Sequence, residues 1–181
     1  MKTKKLILLS LLLFSTQLFA QNKVLTKNGK ITFEASVPSF EEIKAKNEGV
    51  TCIINTKTGE IASLAMVKGF RFKVALMEEH FNENYIESDK YPKTTFKGKI
   101  DGFDASKVTK EGKSYILKGK LELHGKTNDI IITATIKKTA DGMSLVSNFS
   151  INTEDFNIEI PNVVSKKVSK KVNVTLDFNL K

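Results

Sequence analysis

KSYILKGKLELHGKTNDIIITATIKK, Lys113 to Lys138, is the stretch whose reading decides the fold. In its first half Tyr115, Leu117, Gly119, Leu121 and Leu123 share one face, while Ser114, Lys118, Lys120, Glu122 and His124 share the other. That period of two marks a strand with one buried face. In the second half Ile130, Ile132, Ala134 and Ile136 alternate with Ile131, Thr133, Thr135 and Lys137, and the residues from His124 to Asn128 supply glycine and short polar groups for a reversal. Strands of about eleven residues at ~3.3 Å per residue run roughly 36 Å, well beyond the common strand of about 5–6 residues. A barrel wall accounts for such length better than a small sandwich does.

Working outward, the same alternation predicts strands over Lys30 to Val37, Val50 to Asn55, Glu60 to Val67, Thr94 to Phe103, Met143 to Ile151, Phe156 to Ile160 and Lys171 to Leu180. Gly59 suits the positive φ of the turn between the second and third of these. Ser39 followed by Glu42 has capping-box spacing and predicts a short helix over Phe40 to Lys46. Between Phe70 and Tyr91 the period changes: Val74, Met77, Phe81 and Tyr85 recur at helical spacing, so one amphipathic helix is expected there, stopping before Tyr91, which Pro92 pushes out of the helical region. The Glu60 to Val67 strand is apolar on both faces, Leu64 and Met66 opposing Ile61, Ala65 and Val67, and the helix is expected to cover it from outside. These readings sum to a mainly β fold, an antiparallel barrel of about eight strands with one or two short helices, since closure removes exposed strand edges.

Lys2, Lys4 and Lys5 precede the apolar run Leu6 to Leu18, and Ala20 ends it as a small residue. Residues 1–20 therefore read as a signal peptide cut before Gln21, too short an apolar run for a comfortable membrane span of about 20 residues, leaving 21–181 as one domain that is periplasmic or secreted. The formal net charge of +9 is spread mainly over the polar faces of strands, which reads first as a solvated surface and second as transient contact with an anionic membrane surface. No basic helix or basic-aromatic motif points to nucleic acid. Cys52 is the one cysteine, so no internal disulfide forms, and it shares a face with Val50 and Ile54 as a buried thiol would.

Two stretches carry a resemblance. HFNENYIESDKYPKTTFKGKI (His80 to Ile100) and LKGKLELHGKTNDIII (Leu117 to Ile132) resemble the YceI-like family of exported bacterial lipid-binding proteins, through His80, Tyr85, Lys90-Tyr91-Pro92 with Phe96, and through Gly119, Leu121, His124, Gly125 and Thr127. With weaker matching elsewhere the likeness runs from about Gly29 to the C-terminus. The chain departs from the family pattern in its first strand and at Lys126, where an aliphatic residue is common. The resemblance implies an elongated lipocalin-like barrel that holds a polyisoprenoid or another long-chain lipid, an isoprenoid quinone or a fatty-acid-like chain, without cofactor or catalytic residues.

On that basis an apolar tail is expected among Phe33, Phe96, Leu117, Leu121, Ile132, Phe149, Val174 and Leu176, with Phe81 and Tyr85 of the helix bordering an entrance. Gly98, Gly119, Ala134 and Ser147 fall on the inward faces, where small residues would leave a channel. The competing reading is a barrel packed solid, its glycines serving only to let the strands coil, and acting through its surface as an interaction module. His80 and His124 show no metal-ligand spacing and read as capping or turn residues. No nucleophile elbow or phosphate loop is present, so nothing argues for an enzyme. Monomer and homodimer both stay open.

Overall fold

The quoted hairpin folds as strands β6 (Lys113–Leu123) and β7 (Lys126–Lys138), paired without a break from Lys113 opposite Ile136 to Leu123 opposite Lys126. The reversal is shorter than the alternation suggests: two residues, His124 at φ 51° and Gly125 at φ 72°. Positive φ at both centres is the twist-matched hairpin turn. Gly125 is required there twice over, because a Cβ on it would stand 2.4 Å from the Tyr91 ring.

The computed structural model describes residues 22–181, so the signal peptide read over 1–20 and the cut before Gln21 lie outside the described residues. The remaining strands are β1 (Lys23–Ser36), β2 (Lys44–Asn55), β3 (Glu60–Met66), β4 (Arg71–Phe72), β5 (Lys93–Ile100), β8 (Met143–Asn152) and β9 (Val168–Leu180). All pair antiparallel in the order β1-β9-β8-β7-β6-β5-β3-β2, and β1 pairing with β2 closes an eight-stranded barrel. β4 adds a ninth strand on the free edge of β2, Ala45 opposite Phe72. The one α-helix among the described residues is α1 (Ala75–His80).

Several expectations are corrected. Ser39 and Glu42 start no helix: Val37 to Ile43 is a loop, Ser39 has φ 72°, and Ala35 N–H donates to Ile43 O so that β1 and β2 form a hairpin. Cross-strand pairing outweighs one isolated helical turn, whose nucleation is unfavourable. The long helix expected over Phe70 to Tyr91 is instead β4, the six residues of α1 and a π turn over Phe81–Tyr85, because β2 offers an unpaired edge that takes Arg71 and Phe72. Nor does α1 cover β3 from outside; Leu64 and Met66 remain exposed, at 37% and 50%. The strand expected over Phe156 to Ile160 is a 3-10 turn, Thr153–Phe156, followed by Asn157 at φ 55°, a left-handed residue that ends any ladder.

The barrel interior differs from end to end. At the end bearing the β2–β3 and β7–β8 chain reversal points Asn55 and Met143, the side chains of Ile54, Ile100, Ile136, Leu145, Phe178 and Leu180 are at most 1% exposed. Full burial of each such side chain contributes about 1.5–3 kcal/mol. The glycines do not leave a channel. Gly98 and Gly119 face each other across β5 and β6, and the Phe96 ring lies over both, its Cζ 2.8 Å from where either Cβ would be. Ala134 and Ser147 likewise pair across β7 and β8, fully buried, with Ser147 Oγ donating to Thr133 O. Outside, Lys118 and Lys120 pair with Asp101 at 2.9 Å and Asp129 at 3.0 Å. Such exposed pairs contribute about 0–1 kcal/mol each, as a solvated face should.

Candidate ligand-binding site

At the other end the barrel is hollow. A cavity of about 490 Å³ occupies it, walled by Leu121, Phe149, Val174 and Leu176 from the strands and roofed by Met77, Phe81 and Tyr85. That volume is within the usual range for sites that hold one small molecule or one extended tail, about 300–1,000 Å³. All ten residues singled out in the sequence, Phe33, Phe96, Leu117, Leu121, Ile132, Phe149, Val174, Leu176, Phe81 and Tyr85, line this one space. Phe96, Leu117 and Ile132 are its floor, buried where the hollow half meets the packed half.

Three connections gather over the mouth: the β1–β2 loop with Phe40 and Ile43, the lid from β4 to Tyr85, and the β8–β9 loop with Ile158, Ile160 and Val164. The lid is fixed by aromatic packing. Phe81, turned inward by the π turn, stacks with Phe33 at 5.3 Å and Phe72 at 5.2 Å, and Phe33 in turn meets Phe70 at 5.3 Å. Each such pair contributes about 0.5–1.5 kcal/mol beyond its buried area. Glu78 fastens the lid's start, its carboxylate accepting from Arg71 at 2.6 Å and from Phe72 N–H at 3.1 Å.

Its end is held by His124. Nε2 lies 2.9 Å from a Glu87 carboxylate oxygen and Nδ1 lies 3.1 Å from Phe156 O, while the Tyr91 ring meets the imidazole edge-on at 4.5 Å. Both ring nitrogens are engaged, one on each side. One side chain thus ties the lid and the β8–β9 turn to the β6–β7 turn. The hydrogen bond to His124, followed by the nearby charges of Lys90 and His124, lowers the Glu87 carboxyl below its ordinary value of 4.5. A lowered carboxyl stabilises the fold fully above the unfolded value and loses that contribution as pH falls through the folded one. Glu87→Gln is therefore expected to flatten the fall of Tm between the ordinary glutamate value and lower pH, and His124→Ala to cost about 1–3 kcal/mol at neutral pH by leaving Phe156 O unpaired. Thermal unfolding across pH checks both; unchanged profiles would show that the latch carries no load.

The sequence does not reveal the roof contributed by Phe40, Ile158 and Ile160 or the part played by Phe70 and Phe72. The Phe-Arg-Phe alternation at 70–72 is the signal for β4, hidden by the helical spacing that follows it. His80 stands exposed on the cavity rim and His124 in the latch, and no group of three metal-ligating side chains gathers among the described residues.

The sequence profile of the YceI-like domain matches residues 15–180. The chain belongs to the YceI-like family. The two stretches that carry the likeness are one place in space, Tyr91 packing on His124 and against Gly125. No curated protein sequence matches this YceI-like chain. Among solved structures it is similar to a polyisoprenoid binding domain from Saccharophagus degradans implicated in plant cell wall breakdown, at TM-score 0.75 and 15% identity over 88% of this chain and 96% of that one. It is similar also to BcnA of Burkholderia cenocepacia, TM-score 0.68, 15% identity, 84% and 94% covered, and to the YCEI protein of Campylobacter jejuni, TM-score 0.63, 16% identity, 80% and 88% covered. At these identities the likeness is one of fold.

Proposed function

We propose that this YceI-like protein is an exported carrier or store for a long-chain amphiphile, whose tail lies in the hollow half of the barrel. One observation carries the reading: an apolar cavity of about 490 Å³ opposite a fully packed end. An apolar chamber gains by taking up hydrocarbon, at about 25 cal/mol per Å² removed from water. The Saccharophagus degradans neighbour, a polyisoprenoid binding domain, supports a lipid of the prenyl kind. Export rests on the leader read over residues 1–20. The protein acts by binding, not by turnover.

The protein purified from its native host without detergent is expected to show, by native mass spectrometry, a stoichiometric excess mass that organic solvent extracts as a prenyl or acyl lipid. A bare mass that also takes up no added long-chain lipid would overturn the reading. A surface module would then have one point in its favour, the exposed Leu64 and Met66 on β3.

A further inference from the structure

β7 and β8 hydrogen-bond only from Lys138 opposite Met143 to Ala134 opposite Ser147. Beyond that point, toward the mouth, β7 runs on to Lys126 held by β6 alone, and β8 runs on to Asn152 held by β9 alone. The wall parts there. Unpaired strand edges forfeit backbone hydrogen bonds and invite unwanted partners, so an open edge in an otherwise closed barrel calls for a reason.

A second cavity of about 410 Å³ fills the parting. Its sides are Lys126, Asn128 and Asp129 of β7 and Ser150 and Asn152 of β8, with Asp155 of the 3-10 turn at its end. Two side chains, Ile130 and Ile151, border both this space and the apolar chamber. The β7–β8 register, continued past Ala134 and Ser147, would set those two opposite each other. They form the partition between a greasy room and a polar one. Across the parting the ties among the described residues are made by side chains, Asn128 Nδ2 to Asp155 O and Lys126 Nζ to Asn157 Oδ1 at 3.3 Å.

We propose that the polar head of the bound amphiphile lies in the parting between β7 and β8, its tail passing between Ile130 and Ile151 into the barrel. This rests on the carrier reading and adds where the ligand's two ends go. The charges at the site choose the head. Lys126 keeps its charge against the neutral Asn157 amide and balances Asp155, and Lys120 balances Asp129, so the parting carries no net charge and offers a charged head no counter-ion of its own. Asn128, Ser150, Asn152 and the unpaired strand edges suit an uncharged head with hydrogen-bonding groups, such as a carbonyl, an imide or a hydroxyl.

N-hexadecylmaleimide, an uncharged imide on a long chain, tests this. Cys52 will not compete: it is fully buried, and burial pushes its thiol up to about 12. Single cysteines are placed in the parting, Asn128→Cys and Ser150→Cys, and at the mouth, Phe40→Cys. Each labelling rate is divided by that of N-ethylmaleimide at the same position. The ratio is expected to be at least tenfold higher at both parting positions than at Phe40→Cys. Binding of unreactive N-hexadecylsuccinimide to the wild-type protein is measured in parallel by native mass spectrometry. Bound succinimide with labelling favoured at Phe40→Cys would overturn the side-wall head site and leave the carrier standing. No bound succinimide and no selective labelling anywhere would overturn both.

Discussion

Leu121→Arg and Phe149→Arg are expected to fold and to lose long-chain ligand, while Ile136→Arg is expected not to fold. The chemistry of the substitution is the same, and the position decides. Leu121 and Phe149 are half-buried walls of the hollow end, so an arginine stem can lie along the apolar surface and carry its guanidinium toward the open mouth. The tail that should lie there would then meet a charge it must desolvate, a penalty of several kcal/mol. At ~1.4 kcal/mol per tenfold, uptake of a long-chain probe should weaken by about a hundredfold or more. Ile136 is fully buried in the packed end, outside the linings of both cavities. A charge there has neither partner nor escape, and the cost is comparable to the whole stability of a domain, about 5–15 kcal/mol. Circular dichroism and titration with a fluorescent long-chain probe separate the outcomes. Undiminished uptake by both folded variants would place the ligand elsewhere, and a soluble, folded Ile136→Arg would refute the division of the barrel into a packed half and a hollow one.

How much of this was legible in the chain follows from which forces leave a local trace. β6, β7 and β9 alternate almost without fault, because each residue reports directly on which side of one wall it stands. The first half of β2 is different. KAKNEG reads as polar, yet Asn47 is buried, its Nδ2 donating to Met66 O at 2.9 Å and its Oδ1 accepting from Gly49 N–H at 2.9 Å. A buried position satisfied by hydrogen bonds leaves no mark in hydropathy. The ten cavity residues were legible because inwardness is local; the cavity was not, because it depends on how far the β7–β8 ladder extends. Ile130 and Ile132 alternate with their neighbours identically, whether or not β8 is bonded to the far side. Gly98 and Gly119 mislead for the same reason: that their space is filled depends on where the Phe96 ring turns, not on their own size.

That last point yields the sharpest expectation for stability. A methyl group added at Gly119 would stand 2.4 Å from Lys97 O, 2.6 Å from Gly98 Cα and 2.8 Å from Phe96 Cζ. One added at Gly98 would stand 2.4 Å from Lys118 O and 2.8 Å from the same ring carbon. Three of these neighbours, Lys97 O, Gly98 Cα and Lys118 O, are backbone in the middle of a ladder and cannot retreat without parting β5 from β6, so Gly98→Ala and Gly119→Ala should each destabilise by roughly 2–3 kcal/mol. For a chain of this length that is a fall in Tm of about 4–12 °C. Gly49→Ala is the control, since its Cβ would meet nothing nearer than Asn47 Oδ1 at 3.7 Å, and it should stay within about 0.5 kcal/mol. The clash has a ring part and a backbone part. Combining Gly119→Ala with Phe96→Leu should therefore cost less than the sum of the two alone, by about 0.5–3 kcal/mol of coupling, without restoring full stability. Strict additivity would mean that the Phe96 ring does not lie over the glycine pair, and a harmless Gly119→Ala would mean that the two strands do not approach as closely as the fold requires.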